Sequence, residues 1–221
     1  MSRKSGLAVI LMAAFFGTAA HYGGWAVTSV QNLPDQLVAG TPYNLTFSIK
    51  QHGVEPLDDL SPYVELRSGK SELVARAVRT NKSGFYTATL NVPTAGEWAA
   101  TIQTSFGKSH AKLVPIAAVE KGARTVVSYT QPERGMRLFA AKGCAMCHQH
   151  AKVDGAGFID FGPDLTEKRF QAAYLRQFLA DPSIKPATTN KRMPKVDLND
   201  QEIAALVAFI NGEAGTRTAI R

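Results

Sequence analysis

The hydrophobic period changes once along this 221-residue chain, and that change limits the folds open to it. From Ala26 to Val119 apolar residues recur every second position, as a half-buried strand requires because successive side chains point to opposite faces. Leu45, Phe47 and Ile49 alternate with Asn44, Thr46, Ser48 and Lys50, and the pattern returns in Tyr86, Ala88, Leu90 and Val92 and in Trp98, Ala100 and Ile102. Shorter strands are expected at Tyr63 to Arg67, Glu72 to Arg79 and His110 to Pro115, with Pro93-Thr94-Ala95-Gly96 as a turn. Short strands at such spacing predict a small antiparallel β-sandwich over 26–119. After residue 122 the period becomes helical, so α and β structure are expected to be segregated: the sandwich, a linker over 120–130, an all-α domain over 131–213 and a tail over 214–221.

Three helices are predicted in the second half. Thr130 with Glu133 forms a capping box and Pro132 lies in the first turn, so a helix should run to about Lys142 with Gly135, Leu138 and Phe139 on its packing side. A second is expected from about Lys168 to Ala180, where Asp181-Pro182 stops it. The third has Asn199 as N-cap and Glu202 closing the box, buries Ile203, Leu206, Val207 and Ile210, and should end at Gly212.

Charge excludes some partners. The formal net charge is +7, but Arg3 and Lys4 belong to an N-terminal segment of a different kind, and neither half of the rest is a polycation. Nucleic acid is therefore not expected as a partner, and a mild attraction to acidic proteins is. The N-terminal segment has the layout of a signal peptide: a basic start, an apolar stretch from Leu7 to Phe16, and the small residues Gly17-Thr18-Ala19-Ala20. Residues 1–20 are read as a signal peptide cleaved after Ala20. The alternative is an uncleaved anchor over 7–27, lengthened by Tyr22, Trp25, Ala26 and Val27. Both place the chain outside the cytoplasm, in a periplasmic or extracytoplasmic space, soluble or held at the inner membrane.

The chain has only two cysteines, and they stand in Cys144-Ala145-Met146-Cys147-His148. Two thiols three positions apart reach the two vinyl groups on one edge of a porphyrin, and the next side chain then lies under the iron. Cys144 and Cys147 are thus the expected thioether anchors of one covalent haem c, and His148 its proximal iron ligand. A thioredoxin-type dithiol would open a helix after a strand, and a zinc site would need a second ligand pair; this motif follows a helix and no other cysteine exists.

A low-spin electron-transfer haem takes a second axial ligand, and a thioether favours Fe(II). Met193 is the candidate, held in Lys191-Arg192-Met193-Pro194 within a proline-rich loop that also contains Pro182 and Pro186. Met146 and Met136 read as packing or surface residues, and His150 as a solvated histidine. Gly162-Pro163-Asp164-Leu165 offers the Pro163 carbonyl as the acceptor that orients the proximal imidazole.

These residues carry two resemblances. Through Gly135-Met136-Arg137-Leu138-Phe139, the Cys144 to His148 motif, Gly162 to Leu165, Arg192-Met193-Pro194 and the last helix, residues 131–213 resemble class I mono-haem c-type cytochromes. That resemblance implies an N-terminal helix crossing the C-terminal one, with Gly135 allowing close approach and Phe139 meeting Phe209, and one-electron transfer without substrate turnover. Through Gln51-His52-Gly53, Gly84-Phe85-Tyr86 and Pro93 to Trp98, residues 26–119 resemble the exported FixH/YtkA-like immunoglobulin-type β-domains, which implies structural roles for Tyr86, Trp98 and the glycines. The expected function is that of an exported electron carrier, not an enzyme, passing single electrons between a redox donor and an acceptor in or at the periplasmic respiratory chain, with the β-domain serving for docking.

Lys142, Lys152, Lys185, Lys191, Arg192 and Lys195 would ring the haem edge and steer acidic partners, or merely keep the surface soluble. Two alternatives remain: a haem-based sensor or small-ligand binder in which Met193 leaves the iron, and a copper-handling protein using His52 and His110 of the β-domain.

Overall fold

The computed structural model describes residues 24–124, 126–155, 159, 161–185 and 192–215. The signal-peptide reading, Pro186, Lys191 and the last six residues lie outside them. Among the described residues, ten strands come first: β1 Ala26–Val30, β2 Leu37–Val38, β3 Tyr43–Gln51, β4 Glu55–Pro56, β5 Tyr63–Ser68, β6 Ser71–Arg79, β7 Phe85–Leu90, β8 Gly96–Gln103, β9 His110–Lys112 and β10 Ile116–Val119. They form one hydrogen-bonded path, β1-β3-β7-β6-β5-β8-β10-β2, with β4 on β3 and β9 on β8.

The alternation seen in the chain is the alternation of burial. Leu45, Phe47 and Ile49 of β3, Tyr86, Ala88 and Leu90 of β7, and Trp98, Ala100 and Ile102 of β8 all point into one core. The Trp98 indole N–H, which could not be buried unpaired, donates to the Thr94 carbonyl at 3.0 Å.

The sheet differs from a two-sheet antiparallel sandwich. β6 pairs with β5 over Ser71 to Arg76 and with β7 over Ala77 to Arg79, so one strand carries the ladder from one side of the core to the other. β8 does the same, pairing with β10 through Gly96 to Trp98 and with β5 through Ala99 to Gln103. β10 and β2 run parallel, Ala118 opposite Leu37 and Val119 opposite Val38, which makes the sheet mixed. A continuous path whose two ends share one core must curl, and the result is a curled mixed sheet.

Three helices follow among the described residues: α1 Gln131–Ala141, α2 Ala172–Ala180 and α3 Asp200–Ile210, with single 3-10 turns at Cys144–Met146 and Pro182–Ile184. Both predicted capping boxes form. The Thr130 N–H donates to Glu133 Oε2 at 2.7 Å and the Glu133 N–H to Thr130 Oγ1 at 3.4 Å, while Asn199 and Glu202 repeat the exchange on α3. Gly135 lets α1 lie against α3, for a Cβ there would stand 2.0 Å from the Ala205 carbonyl oxygen. Phe139 meets Phe209 edge-on, ring centres 5.6 Å apart.

α2 starts four residues later than the periodicity predicts. The Asn211 side chain accepts from the Phe170 N–H at 2.9 Å and donates to its carbonyl at 3.1 Å. That pair of hydrogen bonds ties Phe170 to the end of the last helix, and the second helix begins only after Gln171.

The helical region is fastened to the β-region along α1. Ala141 belongs to the β-core cluster. Arg137, 4% exposed, donates to the Pro34 carbonyl at 2.6 Å, pairs with Asp35 at 3.4 Å and lies over the Tyr129 ring at 4.2 Å. Arg134 also reaches Asp35, at 3.1 Å. Lys112 of β9 pairs with Asp154.

Candidate functional site

α1 ends where Gly143 adopts φ +80°, a left-handed conformation that a side chain would strain. The chain then tightens into the 3-10 turn, with the Cys147 N–H and the His148 N–H both donating to the Cys144 carbonyl, at 3.1 and 2.9 Å. This wound segment turns Cys144, Cys147 and His148 toward one cavity of about 680 Å³, within the size range of small-molecule and cofactor sites, ~300–1,000 Å³.

Burial pushes the Cys144 thiol up to about 12 and the Cys147 thiol to about 11. Both are therefore neutral thiols near pH 7. A redox dithiol needs a lowered thiol pKa, so the arrangement does not suit disulfide exchange.

The His148 ring is fixed from behind. Its Nδ1 lies 3.0 Å from the Pro163 carbonyl, which can only accept, so Nδ1 carries the proton and Nε2 keeps its lone pair. Burial lowers the imidazole's pKa, and the bond to Pro163 partly opposes that. Gly162 makes the approach possible: a Cβ there would stand 2.4 Å from His148 Cε1 and 2.5 Å from Nδ1, while the Gly162 N–H donates to the Cys147 carbonyl at 2.7 Å. The sequence motif names Gly162 beside Pro163 without a role of its own, and the structure makes it the residue that lets the imidazole approach.

Met193, half-buried, lies on the wall of the same cavity, among Phe139, Leu165, Phe170, Leu175, Phe178 and Leu179. Met146 is buried and Met136 packs against the helical core; neither lines the cavity. The structure thus brings together Cys144, Cys147, His148, Pro163 and Met193. These residues fit a haem: two neutral thiols on the cavity wall, an imidazole whose second ring nitrogen, Nε2, is unprotonated, a thioether on the same wall, and an apolar lining.

Two readings need correction. His150 is not solvated: it is 7% exposed, its ring 4.2 Å from that of Phe209 and 5.8 Å from Phe139, and its Nδ1 accepts from the Lys152 N–H. Lys142 is not part of an exposed basic ring. Its side chain, 4% exposed, pairs with Glu202 at 2.8 Å, a neutralisation that burial demands. Lys185, Arg192 and Lys195 are exposed on the cavity rim, whereas Lys152 is exposed away from the lining.

In the β-region, His52 sits in the turn after β3 with φ +52° and its ring against Trp25, and His110 Nδ1 lies 3.0 Å from the Lys108 carbonyl. Among the described residues no group of three or more His, Cys, Asp or Glu could hold a metal ion, and no helix is long and apolar enough to cross a membrane.

Comparison with known proteins finds a family match over part of the chain. Residues 132–212 match the family model of cytochrome c. The match supports a c-type cytochrome domain in the C-terminal part of the chain, and with it a haem-binding electron-transfer protein. No curated protein matches the chain.

Solved structures with some likeness include a provisionally assigned glycoside hydrolase from Bacteroides vulgatus, 18% identical, with a TM-score of 0.33 over 44% of this chain and 19% of that one. The ZirS C-terminal domain is 14% identical, with a TM-score of 0.34 over 54% of this chain and 87% of that one. Domains 4 and 5 of the S-layer protein SbsC are 22% identical, with a TM-score of 0.30 over 42% and 50%. Likenesses this weak carry no argument.

Proposed function

We propose that the chain is an exported mono-haem c-type cytochrome that passes single electrons between a redox donor and an acceptor at the periplasmic side of a respiratory membrane. Cys144 and Cys147 are the thioether anchors, His148 the proximal ligand and Met193 the distal one. The observation that carries this reading is the meeting of both thiols, the oriented imidazole and the thioether on one apolar cavity. When bound, the haem supplies the one-electron Fe(III)/Fe(II) couple.

The chain's own residues do the rest. Pro163 holds the proton on His148 Nδ1 and so presents Nε2 inward. Phe170, Leu175, Phe178 and Leu179 keep water from the site, which favours the less charged, reduced state. Lys185, Arg192 and Lys195 on the rim attract an acidic docking face. The sequence of residues 1–20 supports export, and the FixH/YtkA-like motifs support an accessory role for residues 26–119.

Met193→Ala tests the assignment. The methionine-to-iron charge-transfer band should vanish while the haem stays covalently attached. An unchanged spectrum removes Met193 from the iron, and a parent protein that binds CO readily as the ferrous form favours a ligand-binding role instead.

A further inference from the structure

The β-region touches the two ends of the haem site at once. Gly143, next to the first anchor Cys144, faces β1: a Cβ on it would stand 2.6 Å from Val27 Cγ1 and 2.6 Å from the Thr28 carbonyl oxygen. Val27 itself lines the cavity. On its other side lies Gly53, in the turn between β3 and β4, whose Cβ would be 3.5 Å from Val27 Cγ2 and 2.7 Å from Pro194 Cγ. Pro194 follows Met193 directly. Gly143, Val27, Gly53 and Pro194 therefore stand as successive neighbours from the anchoring side to the distal side.

The turn is a rigid seat. The His52 N–H donates to the Trp25 carbonyl at 3.0 Å, the Gly53 N–H to the Lys50 carbonyl at 3.2 Å, and the Val54 N–H to the Gln51 carbonyl at 3.0 Å. Trp25 also packs on Phe161 of the cavity wall, ring centres 5.7 Å apart. Pro194 transmits the position it is given, since proline's ring fixes its own φ and restricts the backbone of the residue before it, here Met193.

We propose that the β-region positions the distal ligand: the Gly53 turn, braced on Val27, seats Pro194 and so sets where Met193 stands relative to the Cys144 anchor. This rests on the assignment of Met193 to the iron. Gly53 is a positioning residue and does not line the cavity. Its absent side chain matters twice, for the φ of +74° and for the room that Pro194 occupies. A carbon at 2.7 Å instead of the usual ~3.5–4.0 Å forces a shift of about 1 Å, beyond the ~0.5 Å within which a functional constellation must be held.

The test compares holo variants of the full chain. Gly53→Ala adds the Cβ, and Gly53→Asn adds it with a residue type that tolerates left-handed backbone better. Pro194→Ala breaks the same contact from the other side and leaves the turn unstrained. Gly40→Ala is the control, because Gly40 has a similar φ of +69° and nothing within 4 Å of its Cβ position. Met193→Ala is the reference.

The Gly53 and Pro194 variants should lose more than half of the methionine-to-iron band. They should bind exogenous imidazole at least about tenfold more tightly, since a ligand's apparent affinity rises with the fraction of open distal sites. Gly40→Ala should match the parent. The inference is overturned if folded Gly53→Asn and Pro194→Ala keep the parent's band and imidazole affinity, or if Gly40→Ala loses as much as they do. If Met193→Ala itself leaves the parent spectrum intact, the ligand assignment has failed and this inference goes with it.

Discussion

Gly135→Ala should loosen the crossing on which the haem segment is built. A Cβ at Gly135 would stand 2.0 Å from the Ala205 carbonyl oxygen, 2.6 Å from its carbonyl carbon and 2.6 Å from Phe209 Cβ. Carbon contacts ordinarily lie at ~3.5–4.0 Å, so α1 and α3 must part by more than about 1 Å. No rotamer relieves the overlap, because the obstructing atoms are backbone and a Cβ, which side-chain rotation does not move. Overpacking of this kind costs about 1–3 kcal/mol, and the upper end applies where only backbone movement is available. Parting the helices also weakens the edge-on Phe139–Phe209 pair, a contact of about 0.5–1.5 kcal/mol. Alanine's better helix propensity returns about 1 kcal/mol. The net loss is about 2–3 kcal/mol, a fall in Tm of about 5–10 °C for a chain of this size. Thermal unfolding followed by far-ultraviolet circular dichroism measures it. Ala205→Gly should give no rescue, since it leaves the carbonyl in place. A Tm within about 2 °C of the parent, or rescue by Ala205→Gly, would refute the reasoning.

Arg137→Ala should cost about 2–3 kcal/mol in urea unfolding, since it removes a charged donor from the Pro34 carbonyl and the packed stem from the interface; Arg134→Ala, at an exposed pair, should cost under about 1 kcal/mol. In the haem-free chain, Cys147 should alkylate about a hundredfold more slowly than an unfolded control near pH 7.5, following its rise from 9.0 to about 11. The same shift makes stability full below about pH 9 and progressively lost as the pH climbs towards 11, because the unfolded thiol ionises first; a flat urea midpoint across that window would count against it. Gly162→Ala should displace the imidazole it abuts and turn the spectrum toward high spin, with the two thioethers intact by mass.

The candidate site was legible in the sequence because haem attachment would fix residue types at fixed spacing. Cys144, Cys147 and His148 are contiguous, and the Thr130–Glu133 and Asn199–Glu202 boxes mark their own helix starts. What escaped depends on distant partners. β1 was not singled out because Ala26, Val27 and Thr28 are all buried: the core takes one face and Gly143 lies against the other, so the strand does not alternate. β10 buries Ile116 and Ala118, and Ala117 between them blurs the alternation. The parallel β10–β2 pair joins segments some eighty positions apart. Lys142 and His150 looked like surface residues because nothing nearby in sequence announces Glu202 or Phe209. The delayed start of α2 comes from Asn211, forty-one positions on.

Whether a porphyrin is joined to Cys144 and Cys147 is decided by intact mass and solvent extraction of the purified protein. The account predicts one haem added to the polypeptide mass, and colour that stays with the protein in acidified organic solvent. A colourless chain, or pigment released into the solvent phase, would contradict it.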